Sequence, residues 1–192
     1  MKKLLNPFVW YSGEKTLAAG AVGLLVSVSV ARWGGVAFRG VVSSGYGALS
    51  AGQLFGQAVA GWLVLSVLLY GAARIFSKSR VRAVDLFGNQ LFARLALLPL
   101  TCLGALPCIR RATERLAAVA PEQIAAVTPE MLPMLAFGLV SLALLVGFFA
   151  WSWLGFSVAA NLRGGKAAGI YVVCYLLAEV LAGCCTSAIA GW

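Results

Sequence analysis

The chain has 192 residues, 61% of them hydrophobic and 11% charged, with a mean hydropathy of +0.93 and a formal net charge of +9. Ordinary soluble domains run to roughly 45–50% apolar and about 25% charged residues, so a soluble domain and a disordered chain are both excluded. The apolar runs are unbroken well beyond the ~10-residue alternating segments of a membrane β-barrel.

Five such runs cover residues 16–31, 54–76, 86–109, 131–160 and 167–191. A helix needs ~20 mostly apolar residues to cross the ~30 Å hydrocarbon core of a bilayer. The expected fold is therefore all-α: one integral membrane domain over residues 1–192, a single bundle of five transmembrane helices. Ahead of the first run, Asn6-Pro7-Phe8-Val9-Trp10-Tyr11 reads as an interfacial lead-in, with Pro at a first helical position and aromatics at headgroup depth. Lys2 and Lys3, with Ser29-Val30-Ala31 as a cleavage site, would fit a signal peptide; Glu14, Lys15 and the early aromatics favour an uncleaved helix. The first loop, rich in Gly and Ser with Trp33, Phe38 and Tyr46, is expected to be an ordered external loop, part of which could dip into the membrane.

On the second segment Gly52, Gly56 and Ala60 repeat at four-residue spacing, which lines one helix face with small side chains and lets another backbone approach. Ala178, Ala182, Thr186 and Ala190 form a similar stripe on the fifth segment, and Gly155 and Ala159 a shorter one on the fourth. Packing within the chain is the first expectation for these stripes, and a homo-oligomer or another membrane protein the second. Before the third segment, Arg74, Lys78, Arg80 and Arg82 form a basic cluster suited to anionic lipid headgroups, and Asp85 can cap the helix start. Pro99 predicts a kink in mid-membrane, and Pro107 helps to end the segment. Thr128-Pro129-Glu130 reads as the start of the fourth helix, which at about 30 residues should tilt, kink near Pro133 or project into water.

Lys and Arg collect in cytoplasmic loops. Lys2, Lys3, Lys15, Arg74, Lys78, Arg80, Arg82, Arg163 and Lys166 lie on one side, against Arg32, Arg39, Arg110, Arg111 and Arg115 on the other. The bias predicts an N-terminus inside and a C-terminus outside. The positive charge is thus assigned to topology and lipid contact, and no nucleic-acid partner is expected.

Catalytic sets are missing. The chain has no histidine, which removes imidazole metal sites and the usual base of a serine or cysteine nucleophile. Its one aspartate excludes a paired-Asp protease, and no Walker-type glycine loop occurs. No enzyme activity, cofactor or metal is expected. The five cysteines show no C-x-x-C spacing and read first as buried thiols. A disulfide from Cys108 to Cys184 or Cys185 near the outer face is the sharper alternative. Arg94 and Glu179 are the ionisable residues inside the spans; such groups usually face the bundle interior and pair. They are expected to meet, as a structural pair or as the lining of a path.

The five-span layout and the stretch Arg82-Ala83-Val84-Asp85-Leu86-Phe87-Gly88-Asn89-Gln90-Leu91-Phe92-Ala93-Arg94-Leu95-Ala96-Leu97-Leu98-Pro99 resemble the bacterial branch of the YIP (Ypt/Rab-interacting protein) family. Asp85-Leu86-Phe87-Gly88 is similar to the acidic-Leu-aromatic-Gly signature of the eukaryotic members, which in those proteins precedes the first helix and here precedes the third. The resemblance implies a five-helix membrane protein with a cytoplasmic N-terminus, acting in membrane organisation or as a scaffold for lipid or protein partners; the GTPase partner does not carry over. The alternative function is a small transporter or channel with Arg94 and Glu179 lining the path.

Overall fold

A computed structural model describes residues 7–9, 13–118 and 128–191. The lysines at positions 2 and 3, most of the aromatic lead-in and the proline start at position 121 lie outside them, as do the side chains at 128–131. After a 3₁₀ turn at Pro7–Val9 come α1 (Glu14–Gly34), β1 (Val36–Phe38), β2 (Ser44–Tyr46), α2 (Ala51–Phe76), α3 (Ala83–Ala93), a 3₁₀ turn (Arg94–Leu97), α4 (Leu98–Gly104), α5 (Pro107–Ala118), α6 (Thr128–Ala160) and α7 (Gly164–Ala190). Among the described residues, five stretches are long and apolar enough to span a bilayer: Glu14–Gly34, Ala51–Phe76, Ala83–Gly104, Leu132–Ala160 and Gly164–Ala190. The chain is an all-α membrane protein with, among the described residues, one short β-hairpin.

The third span departs from a single kinked helix. Pro99 sits in the first turn of α4, where its missing N–H costs nothing, and the turn before it tightens to 3₁₀ over Arg94–Leu97. A continuous α-helix would drive the proline ring into the carbonyl of Leu95, four residues back. The break comes at Arg94, a turn earlier than a bend at the proline itself. Pro107, instead of closing the span, opens a separate amphipathic helix, α5, with Arg110 and Glu114 paired at 2.8 Å on its exposed side. Asp85 does not cap α3. Arg82 holds the cap position with no side-chain bond, and Asp85 lies one turn in, 3.8 Å from Arg82.

Glycine decides how closely the spans approach. A Cβ at Gly20 of α1 would meet the Leu91 backbone of α3 at 2.7 Å, and one at Gly88 of α3 would meet Thr16 Oγ1 at 2.7 Å and the Gly13 carbonyl at 2.9 Å. The third span lies against α1 through this seam of Thr16, Gly20 and Gly23. On α2 the buried face carries Leu54, Gln57, Ala58, Gly61, Leu65 and Leu69, which corrects the stripe read from the sequence. Gly52 is open to its surroundings, Gly56 meets only Ile189 at 3.4 Å and Ala60 is half-buried. Ala178 and Ala182 of α7 are fully buried, as expected. The inward face of α2 combines Leu54, Gln57, Leu65 and Leu69 with Ala58 and Gly61, and Gly52, Gly56 and Ala60 lie beside it.

Buried amides tie the third span to α6. Asn89 donates to the Gly155 carbonyl at 3.2 Å and Gln90 to the Ser152 carbonyl at 3.0 Å, while the Ser152 hydroxyl donates back to Gln90 Oε1. Trp62 Nε1 of α2 donates to the Phe87 carbonyl at 3.0 Å. The basic cluster of Arg74, Lys78, Arg80 and Arg82 is exposed at the end where α2 meets α3. Beside it, Lys166 lies 5.7 Å from the Phe76 ring and Ser77 donates to the Ala160 carbonyl at 2.7 Å.

Substituting Gly20 by Val should lower the unfolding midpoint in detergent by the equivalent of roughly 2 kcal/mol, since backbone cannot move aside for an added side chain. Gly52→Val should change it little. Equal effects at the two positions would show that the seam between α1 and α3 is not where the bundle is tight.

Candidate functional site: a re-entrant hairpin capped by Glu179

The loop between α1 and α2 turns back into the bundle. Val36, Ala37 and Phe38 pair antiparallel with Tyr46, Gly45 and Ser44, and Arg39 N–H closes the tip on the Ser43 carbonyl at 2.8 Å. Gly35, at φ 68°, ends α1 in the left-handed conformation and lets the chain reverse at the helix end. From residue 36 to 41 an extended strand covers about 17 Å. Glu179, eleven residues before Ala190, lies ~16 Å from the same end of α7. Gly61, ten residues after Ala51, lies ~15 Å from that end of α2. The tip therefore reaches the middle of the span.

Non-helical backbone at that depth must have its polar groups satisfied by protein. Glu179 does this. Its Oε2 accepts from Val41 N–H at 3.0 Å and Val42 N–H at 3.2 Å, and Oε1 accepts from Ser43 N–H at 3.3 Å and from the Ser43 hydroxyl. Tyr175, one turn earlier on α7, adds its hydroxyl at 3.4 Å. Higher on the hairpin, Phe38 N–H donates to Gln57 Oε1 at 3.1 Å, and the Gln57 amide donates to the Thr186 carbonyl at 3.2 Å. One glutamine thus joins hairpin, α2 and α7. At the base, the Tyr46 hydroxyl donates to the Gly104 carbonyl at 2.8 Å. Burial pushes that phenol above its ordinary range, which keeps it a donor.

Gly40 is confined from two sides. A Cβ there would fall 2.3 Å from Glu179 Oε1, and a Cβ on Gly61 would fall 2.7 Å from the Gly40 carbonyl oxygen and 3.2 Å from Arg94 Nη1. Arg94, at the break in the third span, is thereby brought to the level of the hairpin tip and within Coulombic reach of Glu179. The two do not form the contact ion pair expected from the sequence. Among the described residues the ion pairs within 4.0 Å are Arg82–Asp85 and Arg110–Glu114. The physical reason is competition: three peptide N–H groups and two hydroxyls already occupy the carboxylate, while Arg94 Nη1 is buried with no hydrogen-bond partner.

Arg94 is also one of the residues lining a cavity of about 90 Å³ between α1, the hairpin, the broken third span and α6, although its unpartnered Nη1 is sealed beside Gly61 and not exposed there. Its polar lining includes Ser27, Ser43, Ser44 and Thr101, its apolar lining Leu24, Leu97, Leu100 and Phe137, and Glu179 is not part of it. A path lined by both charges is therefore not the arrangement seen. The expected disulfide is absent as well. Cys108, Cys184 and Cys185 are exposed free thiols, and the buried Cys174 directs its thiol at the Leu68 carbonyl, 3.8 Å away. Among the described residues no cluster of Cys, Asp and Glu could hold a metal ion.

The expectation of an ordered external loop does not extend to the hairpin or its Gln57 anchor, although the sequence carries signals of both. Gly40, Gly45 and Gly47 flanking Val41-Val42 are a turn-and-strand pattern, and Gln53 and Gln57 share one face of an apolar helix. Compared with protein-family models, with curated proteins and with solved structures, the chain matches none.

Replacing Glu179 by Gln halves the acceptor capacity facing the tip. An N–H left buried without a partner costs about 1–3 kcal/mol, so a loss of roughly 3 kcal/mol is expected. Hydrogen exchange on the protein in lipid nanodiscs should show residues 41–43 losing protection in Glu179→Gln and keeping it in Arg94→Gln. Unchanged protection in Glu179→Gln would mean that the carboxylate does not hold the hairpin.

Proposed function

We propose that this chain is a non-enzymatic membrane protein that admits a small solute or headgroup to a mid-membrane chamber, the transporter or channel class of function. The observation that carries the proposal is the coincidence at one depth of a re-entrant hairpin, a broken helix and a cavity that an arginine helps to line. Discontinuous helices at mid-membrane are how transporters expose backbone and charge to a substrate, and an intramembrane arginine without a contact partner is costly unless something uses it. A purely structural span has no need of either.

A scaffold reading has one observation in its favour. The span of α6 has 6% of its apolar window buried within the chain, against 22–39% for the other four. Its exposed Leu132, Leu135, Leu139 and Leu142 offer a face to lipid, to a second copy or to another membrane protein. Membrane organisation of the YIP type belongs to this reading and rests on residues 82–99.

In either case we place the N-terminus inside and the C-terminus outside on the Lys/Arg bias, and the bacterial cytoplasmic membrane on the resemblance carried by residues 82–99. The hairpin then enters from the outer face. A reporter enzyme that works only outside the cytoplasm should be active when fused after Trp192; activity of a cytoplasmic reporter there would reverse the orientation.

Access to the chamber is the test of function. With the native cysteines replaced by Ala or Ser, Ser44→Cys should react with a membrane-impermeant thiol reagent added outside and not with reagent added inside. No reaction from either side would leave a closed, structural cavity and favour the scaffold.

A further inference from the structure

A second cavity lies at the end of the bundle where α1 stops and α2 starts. Its volume is about 410 Å³, against about 90 Å³ for the chamber. The last turn of α1, the base of the hairpin, the first turn of α2 and one side of α5 wall it. Arg32, Trp33, Arg110 and Glu114 are in its lining, and none of the four takes part in the chamber or in the capping of the hairpin tip.

The two arginines come from different elements. Gly35, which ends α1 at φ 68°, leaves the space that the α5 guanidinium uses: a Cβ there would stand 3.1 Å from Arg110 Nη1. Arg110 is thereby seated at the C-terminal end of α1, where the helix dipole favours a cation, beside a glycine three residues beyond Arg32. Glu114 accepts from Arg110 Nε at 2.8 Å. Among the described residues no carboxylate comes within 4.0 Å of Arg32. The lining carries two guanidiniums and one carboxylate, a net charge of +1. Guanidiniums converging from two directions are a donor set for the oxygens of a single anion.

The cavity stands at headgroup depth. Trp33, 75% exposed in its lining, has the place of an interfacial aromatic at the end of a span. Below it, Val22, Leu25, Val26 and Ser29 recur at helical spacing and are all exposed, so a lipid-facing stripe of α1 runs up to Arg32 and Trp33. An occupant of the site therefore has an apolar helix face on one side and water on the other. A phosphodiester carries one negative charge, which matches the lining, and its free oxygens are acceptors that both arginines can share. A zwitterionic headgroup would bring a cation of its own against Arg32 and Arg110.

We propose that Arg32 and Arg110 bind the phosphate of an anionic phospholipid, a phosphatidylglycerol in chemical class, whose chains lie along the exposed face of α1. The site is separate from the basic cluster of Arg74, Lys78, Arg80 and Arg82, which lies at the opposite end of the spans. It stands whether the chamber is a path or a closed cavity.

The test is native mass spectrometry of the whole protein in detergent, titrated with dioleoylphosphatidylglycerol and, separately, with dioleoylphosphatidylcholine. The expected result is one phosphatidylglycerol bound about tenfold more tightly than phosphatidylcholine, a preference lost in Arg32→Gln/Arg110→Gln. Arg80→Gln/Arg82→Gln, at the opposite end, should keep the preference, which distinguishes this site from the basic cluster. Glu114→Gln raises the local positive charge and should tighten binding, a gain that misfolding would not produce. Glycerophosphoglycerol, the same headgroup without chains, should not displace the lipid at equal concentration. Equal affinity for the two lipids, a preference retained by Arg32→Gln/Arg110→Gln, or a preference lost in Arg80→Gln/Arg82→Gln would each overturn the proposal. So would weaker binding by Glu114→Gln, or displacement by glycerophosphoglycerol, which would make a soluble phosphodiester the ligand.

Discussion

A carboxylate accepting three consecutive peptide N–H groups in the middle of a bilayer is the contact on which this architecture depends. No neighbouring strand is available to Val41, Val42 and Ser43, and the acceptors for their N–H groups come from α7. In hydrocarbon each bare N–H carries a penalty of several kcal/mol. Glu179 removes the penalty and is itself stabilised, because a buried carboxylate needs donors as much as the hairpin needs acceptors. Arg94 lies within the field of this carboxylate but beyond ion-pair distance of it.

Around this contact the helices are spaced by what they lack. Gly61 lets the Gly40 carbonyl lie against α2, and Gly40 lets the carboxylate close over the tip. Gly20 and Gly88 bring α1 and α3 together on the other side. Within a membrane no hydrophobic force presses helices together, so close backbone approach and interhelical hydrogen bonds have to supply the attraction. Here Gln57, Asn89, Gln90 and Ser152 supply the hydrogen bonds, each buried and each bonded to another element. Tight glycine seams and amide bridges together hold the bundle.

The five spans were legible in the sequence because span length is a property of the chain alone: an unbroken apolar run has one stable use in a bilayer. Arg94 and Glu179 stood out for the same reason, since charge in such a run is rare. Their partners were not legible. The partner of Glu179 is backbone, identical at every residue, and only the hairpin fold presents those N–H groups as a cluster. The small-residue stripe was placed one face away from Gly61, because Gly and Ala are frequent enough here for several stripes to coexist. Gln57, bonded to both Phe38 and Thr186, fixes the inward face. The early break at Arg94 follows from Pro99, but the turn that yields depends on what packs beside it.

The capping of the hairpin also sets an order in which the protein can be made. Val41 and Glu179 are separated by 138 positions in the chain. At a synthesis rate of ~5–20 residues per second, roughly 7–28 s pass between them. Throughout that interval the tip has no acceptor and cannot remain at mid-membrane depth, so it waits in water while the first four spans are inserted. Entry of the last helix draws it in. The final span therefore completes the interior of a bundle whose other walls are already standing, in the manner of a keystone.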